Sequence, residues 1–293
     1  MKDVYLFSGF LGSGKTTLLK TMISQMKDKG LKPAVFMNEL GQMNMDSDAV
    51  EEGIPLKEIL DGCICCSGSE KSEAQIQTLL AEEDFDVLLI ETTGAAHPVE
   101  ALDAIFSPLF AEQLNFKGIV TVADSKRWMD RNSLSPQIRS LFLEQIRHAD
   151  LLLANKMDLL TEGQQATVVY EIQSLNPKAQ IIQTIHAKIP FSALEKLSPL
   201  QNEDVVKAPV SKLNLNAKVL KFEAPVRREL FEEWLRALPD TVFRIKGYVP
   251  LEGDKYPNAF QFAYGMAQWL PEYMKMQNQI VIIGEGLEGV ELP

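Results

Sequence analysis

The chain has 293 residues, of which 46% are hydrophobic, and it sets 29 basic against 40 acidic side chains for a formal charge of -11. That is enough apolar material for one large or two unequal globular domains, while the acidic excess argues against a broad surface for nucleic acid or anionic membrane. No run approaches the ~18 apolar residues that span a bilayer, no long apolar leader precedes the first strand, and the cysteines cluster at Cys63, Cys65 and Cys66 rather than forming a secreted disulfide framework, so the expected address is the cytoplasm.

The first element is a strand over residues 4–7, followed at once by Gly9-Phe-Leu-Gly12-Ser13-Gly14-Lys15-Thr16-Thr17 and an apolar-periodic helix to Met26. This is the G-x-x-x-x-G-K-[ST] phosphate loop. Without Cβ atoms at Gly9 and Gly14 the backbone can wrap a polyphosphate, and the N–H groups of the loop and helix start point at its oxygens. Lys15 supplies charge at the β/γ-phosphates, and the Thr16 hydroxyl suits Mg²⁺. Further strands are expected at 34–38, 86–90, 118–122, 151–154 and 180–182, with helices at 69–82, 135–148 and 162–175. Their alternation predicts a P-loop NTPase-type α/β fold, a mainly parallel sheet with helices on both faces and ligands at the edge where the strands end.

Near Ser198 the pattern weakens. Residues 1–200 are therefore expected to form the nucleotide-binding domain, 201–216 a polar linker, and 217–293 a small α+β domain. In the latter, a strand at 219–222 precedes a helix opened by Pro225 with apolar positions Leu230, Phe231, Trp234, Leu235 and Leu238. Strands at 242–245, 260–264 and 280–283 follow. Its aromatic residues read as core rather than as a ligand platform.

Three other segments carry chemistry. Asn155-Lys156-Met157-Asp158 follows the strand at 151–154; alone, such a turn is a common helix cap, but with a phosphate loop upstream it favours GTP over ATP. Asp158 can accept the two N–H groups on the Watson–Crick edge of guanine, where adenine presents the wrong groups. Lys156 can cover the base with its aliphatic stem, and Asn155 can tie loops together. Glu91-Thr-Thr-Gly94 ends the strand at 86–90: Glu91 can orient Mg²⁺ and Gly94 can approach a γ-phosphate, although a solvated strand end is the plainer reading of an acid there. A second candidate switch is Asn38-Glu39-Leu40-Gly41 with Asp46 nearby. No histidine or glutamine stands out to position attacking water; Glu39 and Asp46 are the better candidates, and a slow GTPase can rely on positioning and charge.

Between the two switches lies Gly62-Cys63-Ile64-Cys65-Cys66. Three clustered thiolates suit Zn²⁺ or another late transition metal, with Glu39, His97 or water as fourth ligand. A redox pair of Cys63 with either neighbour and inert buried thiols are the alternatives. His97 also reads as a loop-packing residue; His148 and His186 have no motif support.

Together these motifs resemble the CobW-like, or cobalamin-synthesis-W, family of P-loop GTPases. The resemblance rests on residues 9–17, 38–41, 62–66, Glu91-Thr-Thr-Gly94-Ala-Ala-His97-Pro98 and 155–158, with Arg244-Ile-Lys-Gly247 similar to the family's carboxy-terminal pattern. It implies a metallochaperone or metal-insertase that hydrolyses GTP to GDP and phosphate and delivers Zn²⁺ or Co²⁺ to a client apo-metalloprotein. Cys63, Cys65 and Cys66 would hold the metal, with Lys15, Thr16 and Glu91 serving phosphates and Mg²⁺. The chain lacks the histidine-rich stretch of some members, and the sequence does not decide whether it forms a homodimer. Two other classes remain open: a regulatory GTP-binding switch with structural cysteines, and a P-loop kinase acting on a small acceptor.

Overall fold

The computed structural model describes residues 1–38, 54–59, 69–94, 98, 102, 105–110, 112–197, 216–239, 241–263, 266–272, 274–284 and 286–293. The chain folds as two compact units, Met1–Ile105 with Gln113–Gln201, and Phe106–Glu112 with Asn202–Pro293.

The first unit is built on a seven-stranded sheet of β1 (Lys2–Ser8), β2 (Pro33–Asn38), β3 (Leu56–Ile59), β4 (Val87–Glu91), β5 (Leu114–Asp124), β6 (Leu151–Asn155) and β7 (Gln180–Gln183), in the order β3-β2-β4-β1-β5-β6-β7. Every pairing is parallel. β4 and β6 are buried along their whole length, as their unbroken apolar runs require in a sheet covered on both faces. One face packs Tyr5, Phe7, Leu89, Val122 and Leu153 against Leu18, Leu19, Met22 and Met26 of α1 (Lys15–Asp28). A second core joins Ala123, Leu152 and Ala154 to Trp128, Phe142, Val168 and Ile172. These last side chains come from α3 (Ser125–Met129), α4 (Pro136–Arg147) and α5 (Glu162–Leu175); α2 (Ser69–Glu82) precedes β4. Local sequence sets the helix starts. Ser135 accepts from the Ile138 N–H ahead of a proline in the first turn of α4, and Thr161 with Gln164 forms a reciprocal capping box on α5.

The register sets the function-bearing edge. Phe7 lies beside Glu91 and Ser8 beside Thr121, while Asp124 pairs with Asn155. The residues following β1, β4, β5 and β6 therefore leave the sheet together.

The second unit holds a five-stranded antiparallel sheet in the order β11-β10-β9-β12-β8, made of β8 (Asn216–Lys221), β9 (Val242–Val249), β10 (Asn258–Ala263), β11 (Met266–Pro271) and β12 (Gln279–Gly284). Helix α7 (Arg228–Ala237) follows β8; the short α6 (Ser192–Glu195) belongs to the first unit. Phe231 and Leu235 of α7 join Ile245, Phe260, Ile280 and Ile282 in its core, so the aromatic residues do pack inward. The Phe231 ring lies 5.0 Å from Phe260 and 5.5 Å from Trp269.

Three differences from the sequence expectations have local causes. β3 and β11 were not anticipated: β3 is a four-residue edge strand with two charges, and β11 carries Ala, Gln and Pro, all weak strand formers. β5 starts four residues earlier than expected, because Leu114 pairs with Lys2 and the register shifts ahead of Gly118. Segment 106–112, read from its sequence position as part of the nucleotide-binding domain, belongs to the second unit. There the Gln279 side-chain amide donates to the Pro108 carbonyl and Lys221 pairs with Glu112. The expected linker at 201–216 lies outside the described residues except for Asn216, the first residue of β8.

Candidate functional site

The loop from β1 into α1 is shaped by what its glycines exclude. A Cβ on Gly9 would stand 2.3 Å from the Val122 carbonyl oxygen, and one on Gly14, the left-handed cap of α1, 2.7 Å from Asn155 Nδ2. A side chain at either position would collide with β5 or Asn155, so only glycine lets the loop take this course. Gly12 is left-handed too, with open space beside it. Ser13 donates its N–H to the Phe10 carbonyl at 3.1 Å, and its buried hydroxyl forms no hydrogen bond among the described residues. Lys15 is 7% exposed, and its ammonium folds back on the loop, 3.4 Å from the Phe10 carbonyl. Thr17 faces solvent at the start of α1.

Thr16 is half-buried, and its Oγ1 donates to Glu91 Oε1 at 2.9 Å. The parallel register of β1 and β4 makes this contact: it sets Glu91, 6% exposed, beside the strand that feeds the loop. Beyond it, the Thr92 N–H and hydroxyl both donate to the Phe7 carbonyl, at 3.0 and 3.1 Å. Gly94 then passes so close to the phosphate loop that a Cβ would lie 2.5 Å from the Leu11 nitrogen.

On the other side of the loop, Asn155 is buried and joins three backbone segments. Its Nδ2 donates to the Ser13 carbonyl at 2.8 Å, while its Oδ1 accepts from the Ala187 N–H at 2.8 Å and the Thr184 hydroxyl at 3.2 Å. Lys156 is left-handed, with φ 61°, and its ammonium pairs with Asp124 Oδ2 at 2.7 Å. The other oxygen of Asp124 caps α3 through the Arg127 N–H at 3.0 Å. Asp158 is exposed in the turn that follows.

The structure thus brings together Gly9, Gly12, Ser13, Gly14, Lys15, Thr16, Thr17, Glu91, Gly94, Asn155 and Lys156 at one edge, with Asp158 two residues beyond Lys156. Glu39, Asp46, Cys63, Cys65, Cys66 and His97 lie outside the described residues. Among the described residues there is no cluster of metal-ligating side chains, and no helix is long and apolar enough to cross a membrane.

Sequence reasoning missed the loop after β7. There His186 and Ala187 are consecutive left-handed residues, with φ 57° and 50°, and this turns the Ala187 N–H onto Asn155. It also missed Asp124 and Arg127, whose guanidinium lies 4.5 Å over the Phe10 ring and donates to the Leu11 carbonyl at 3.3 Å. Asp124 had a signal, an acid ending an apolar strand in the manner of Glu91. The Ala187 contact is a backbone interaction and leaves no side-chain signature.

A parallel sheet whose first strand runs through this glycine cradle into a helix, with the threonine of the loop against an acid ending the neighbouring strand, defines a P-loop nucleotide-binding protein. The family model described as CobW/HypB/UreG, nucleotide-binding domain, matches residues 3–183, and that of the cobalamin synthesis protein cobW C-terminal domain matches 215–293. The chain belongs to the CobW/HypB/UreG family.

Among its curated relatives, zinc chaperone YeiR of Escherichia coli is 31% identical over 222 residues, which is 75% of this chain and 65% of the relative. The zinc-regulated GTPase metalloprotein activator 1 of Dictyostelium discoideum is 27% identical over 226 residues, 65% of this chain but 47% of the relative. The chain therefore matches between about half and two thirds of the length of these two proteins. The crystal structure of Zn(II)-bound YjiA GTPase from E. coli superposes with a TM-score of 0.54 at 22% identity, covering 98% of this chain and 95% of that one. At that identity the likeness establishes the shared fold.

Proposed function

We propose that the chain is a GTP-hydrolysing metallochaperone that carries zinc, or cobalt, to a client apo-metalloprotein. The observation that carries the nucleotide half is the 2.9 Å contact between Thr16 Oγ1 and Glu91 Oε1 at the mouth of the glycine cradle. A hydroxyl and a carboxylate oxygen so placed are the hard-oxygen donor set that suits Mg²⁺, and the open cradle at Gly9 and Gly14 suits a polyphosphate. Thr16 and Glu91 would hold the ion, which when bound neutralises charge on the phosphate oxygens.

The remaining roles belong to the chain's own groups. Lys15 swings from the Phe10 carbonyl to the β/γ-phosphates, and loop N–H groups from Gly12 to Thr17 take up their oxygens. Gly94 lets backbone approach the γ-phosphate. Asp158 accepts from the guanine edge, with Asn155 holding the phosphate loop and the 184–187 loop in a fixed relation around the base. Water attacks the γ-phosphorus as the bond to the β-γ bridging oxygen breaks, giving GDP and phosphate. Glu39 is the residue proposed to position that water, and turnover is slow because positioning and charge supply most of the catalysis. Cys63, Cys65 and Cys66 hold the cargo metal as thiolates. The metal half is supported by the names of the relatives, zinc chaperone and zinc-regulated GTPase metalloprotein activator.

Phosphate release from GTP by wild type, Thr16→Ala and Glu91→Gln tests the nucleotide half. Both variants should lose most Mg²⁺-dependent turnover, and Asp158→Ala should lose the preference for GTP over ATP. Unchanged turnover in Thr16→Ala and Glu91→Gln would refute the assignment.

A further inference from the structure

At the edge where the parallel strands begin, opposite the phosphate loop, the first unit holds a cavity of about 640 Å³ whose walls include Asp3, Tyr5, Phe85, Lys117, Phe191 and Glu195. That volume lies in the range of small-molecule sites. Two polar groups on its walls, the Tyr5 hydroxyl and the Lys117 ammonium, donate no hydrogen bond among the described residues, although Lys117 stands in a long ion pair with Asp3. Tyr5 is 2% exposed, and its hydroxyl forms no hydrogen bond among the described residues. Burial, reinforced by the Asp3 and Glu195 carboxylates, pushes the phenol well above its usual range, so it remains a neutral donor.

Lys117 is the extra residue of a bulge. Val4 pairs with Phe116 and Tyr5 with Gly118, which leaves Lys117 unmatched in the ladder, and such bulges re-aim side chains. The Lys117 side chain is 18% exposed, and its ammonium stands 4.0 Å from Asp3 Oδ2, beyond hydrogen-bonding distance.

The carboxylates around these donors each have a partner on one oxygen and keep a second oxygen for another cation. Asp3 accepts from Asn115 Nδ2 at 2.6 Å, Asp86 from the Lys32 N–H at 2.9 Å, and Glu195 pairs with Lys29 at 2.7 Å; Asp84 pairs with the Lys32 ammonium. Lys2 is spent on the Phe85 carbonyl and ring. What is missing is an acceptor within hydrogen-bonding distance of Tyr5 Oη and Lys117 Nζ. A purely anionic ligand is nevertheless opposed, because the walls set four carboxylates (Asp3, Asp84, Asp86, Glu195) against three ammonium groups, those of Lys2 and Lys117 and the α-ammonium of Met1. A ligand with both signs meets both conditions.

We propose that this cavity binds a small zwitterionic amino acid, its carboxylate on Tyr5 Oη and Lys117 Nζ and its ammonium toward the acidic wall. The inference is independent of the nucleotide assignment.

Calorimetric titration of the full chain with leucine, leucinamide (no carboxylate) and isocaproate (no ammonium) tests it. Leucine should bind saturably and each analogue about tenfold more weakly or worse, since each lacks one charge-assisted contact. Tyr5→Phe and Lys117→Met should each weaken leucine binding by a similar factor while guanine-nucleotide binding shows the fold intact. Absence of saturable leucine binding, equal binding of either analogue, or wild-type affinity in both variants would overturn the proposal. The analogue series decides the matter even if a variant fails to fold.

Discussion

In the parallel sheet all seven strands end at one edge, so the ends of β1, β4, β5 and β6 deliver Gly9, Glu91, Asp124 and Asn155 to a single rim. In the antiparallel sheet neighbouring strands end on opposite sides, and among the described residues no comparable rim forms; Phe231 of α7 and the sheet's Phe260 and Trp269 turn to one another instead. Topology thus separates where chemistry can gather from where packing dominates. Two glycines make the same point. A Cβ on Gly9 would lie 2.3 Å from the Val122 carbonyl, and one on Gly247 would lie 2.2 Å from that of Gln279. Both positions exclude a side chain, yet the first exclusion opens a cradle and the second only lets β9 and β12 lie close.

If that contrast is right, substitutions in the two units should separate stability from nucleotide chemistry. The largest effect expected is Phe231→Ala, which empties the centre of the aromatic core and should cost about 3–5 kcal/mol of stability. Calorimetric melting should show the loss in the second unit, with GTP binding by the first retained. Next, if Lys15 serves the phosphates as proposed, Lys15→Ala should reduce GTP turnover about a hundredfold or more with little change in melting, because the charge rather than core is lost. Asn155→Ala lies between the two regimes. It deletes hydrogen bonds to Ser13, Thr184 and Ala187, so about 1–3 kcal/mol should be lost from both stability and GDP affinity, measured by melting and by displacement of a fluorescent nucleotide. The smallest is Thr161→Ala, which removes the cap of α5 far from the loop: about 1 kcal/mol of stability with unchanged turnover. A Phe231→Ala protein that lost GTP binding as completely as Lys15→Ala would break the separation.

Much of this was legible because it is contiguous. The buried strands β4 and β6 are unbroken apolar runs, α2 and α5 end where their periodicity ends, and the phosphate loop is one uninterrupted motif. The meeting of Thr16 with Glu91 follows from the parallel register of β1 and β4, which sets Glu91 beside Phe7. What was not legible depends on pairing or backbone. β3 and β11 lack the apolar density that marks a strand and exist because a neighbour offers its edge. The Ala187 N–H reaches Asn155 through two left-handed residues, a conformation that neither histidine nor alanine announces. Segment 106–112 joins the second unit through a main-chain carbonyl and one exposed acid, which no periodicity records.

If the proposed function is right, a GTP-driven metal carrier couples its two ligands, and linkage then requires each to alter the affinity of the other by the same factor. The most direct test is an anaerobic competition titration of Zn²⁺ and Co²⁺ against a chromophoric chelator, with GDP or a non-hydrolysable GTP analogue, for wild type and a variant in which Cys63, Cys65 and Cys66 are all serine. The account predicts cysteine-dependent affinity that differs between the two nucleotides. Equal affinity with both nucleotides, or no dependence on the three cysteines, would contradict it.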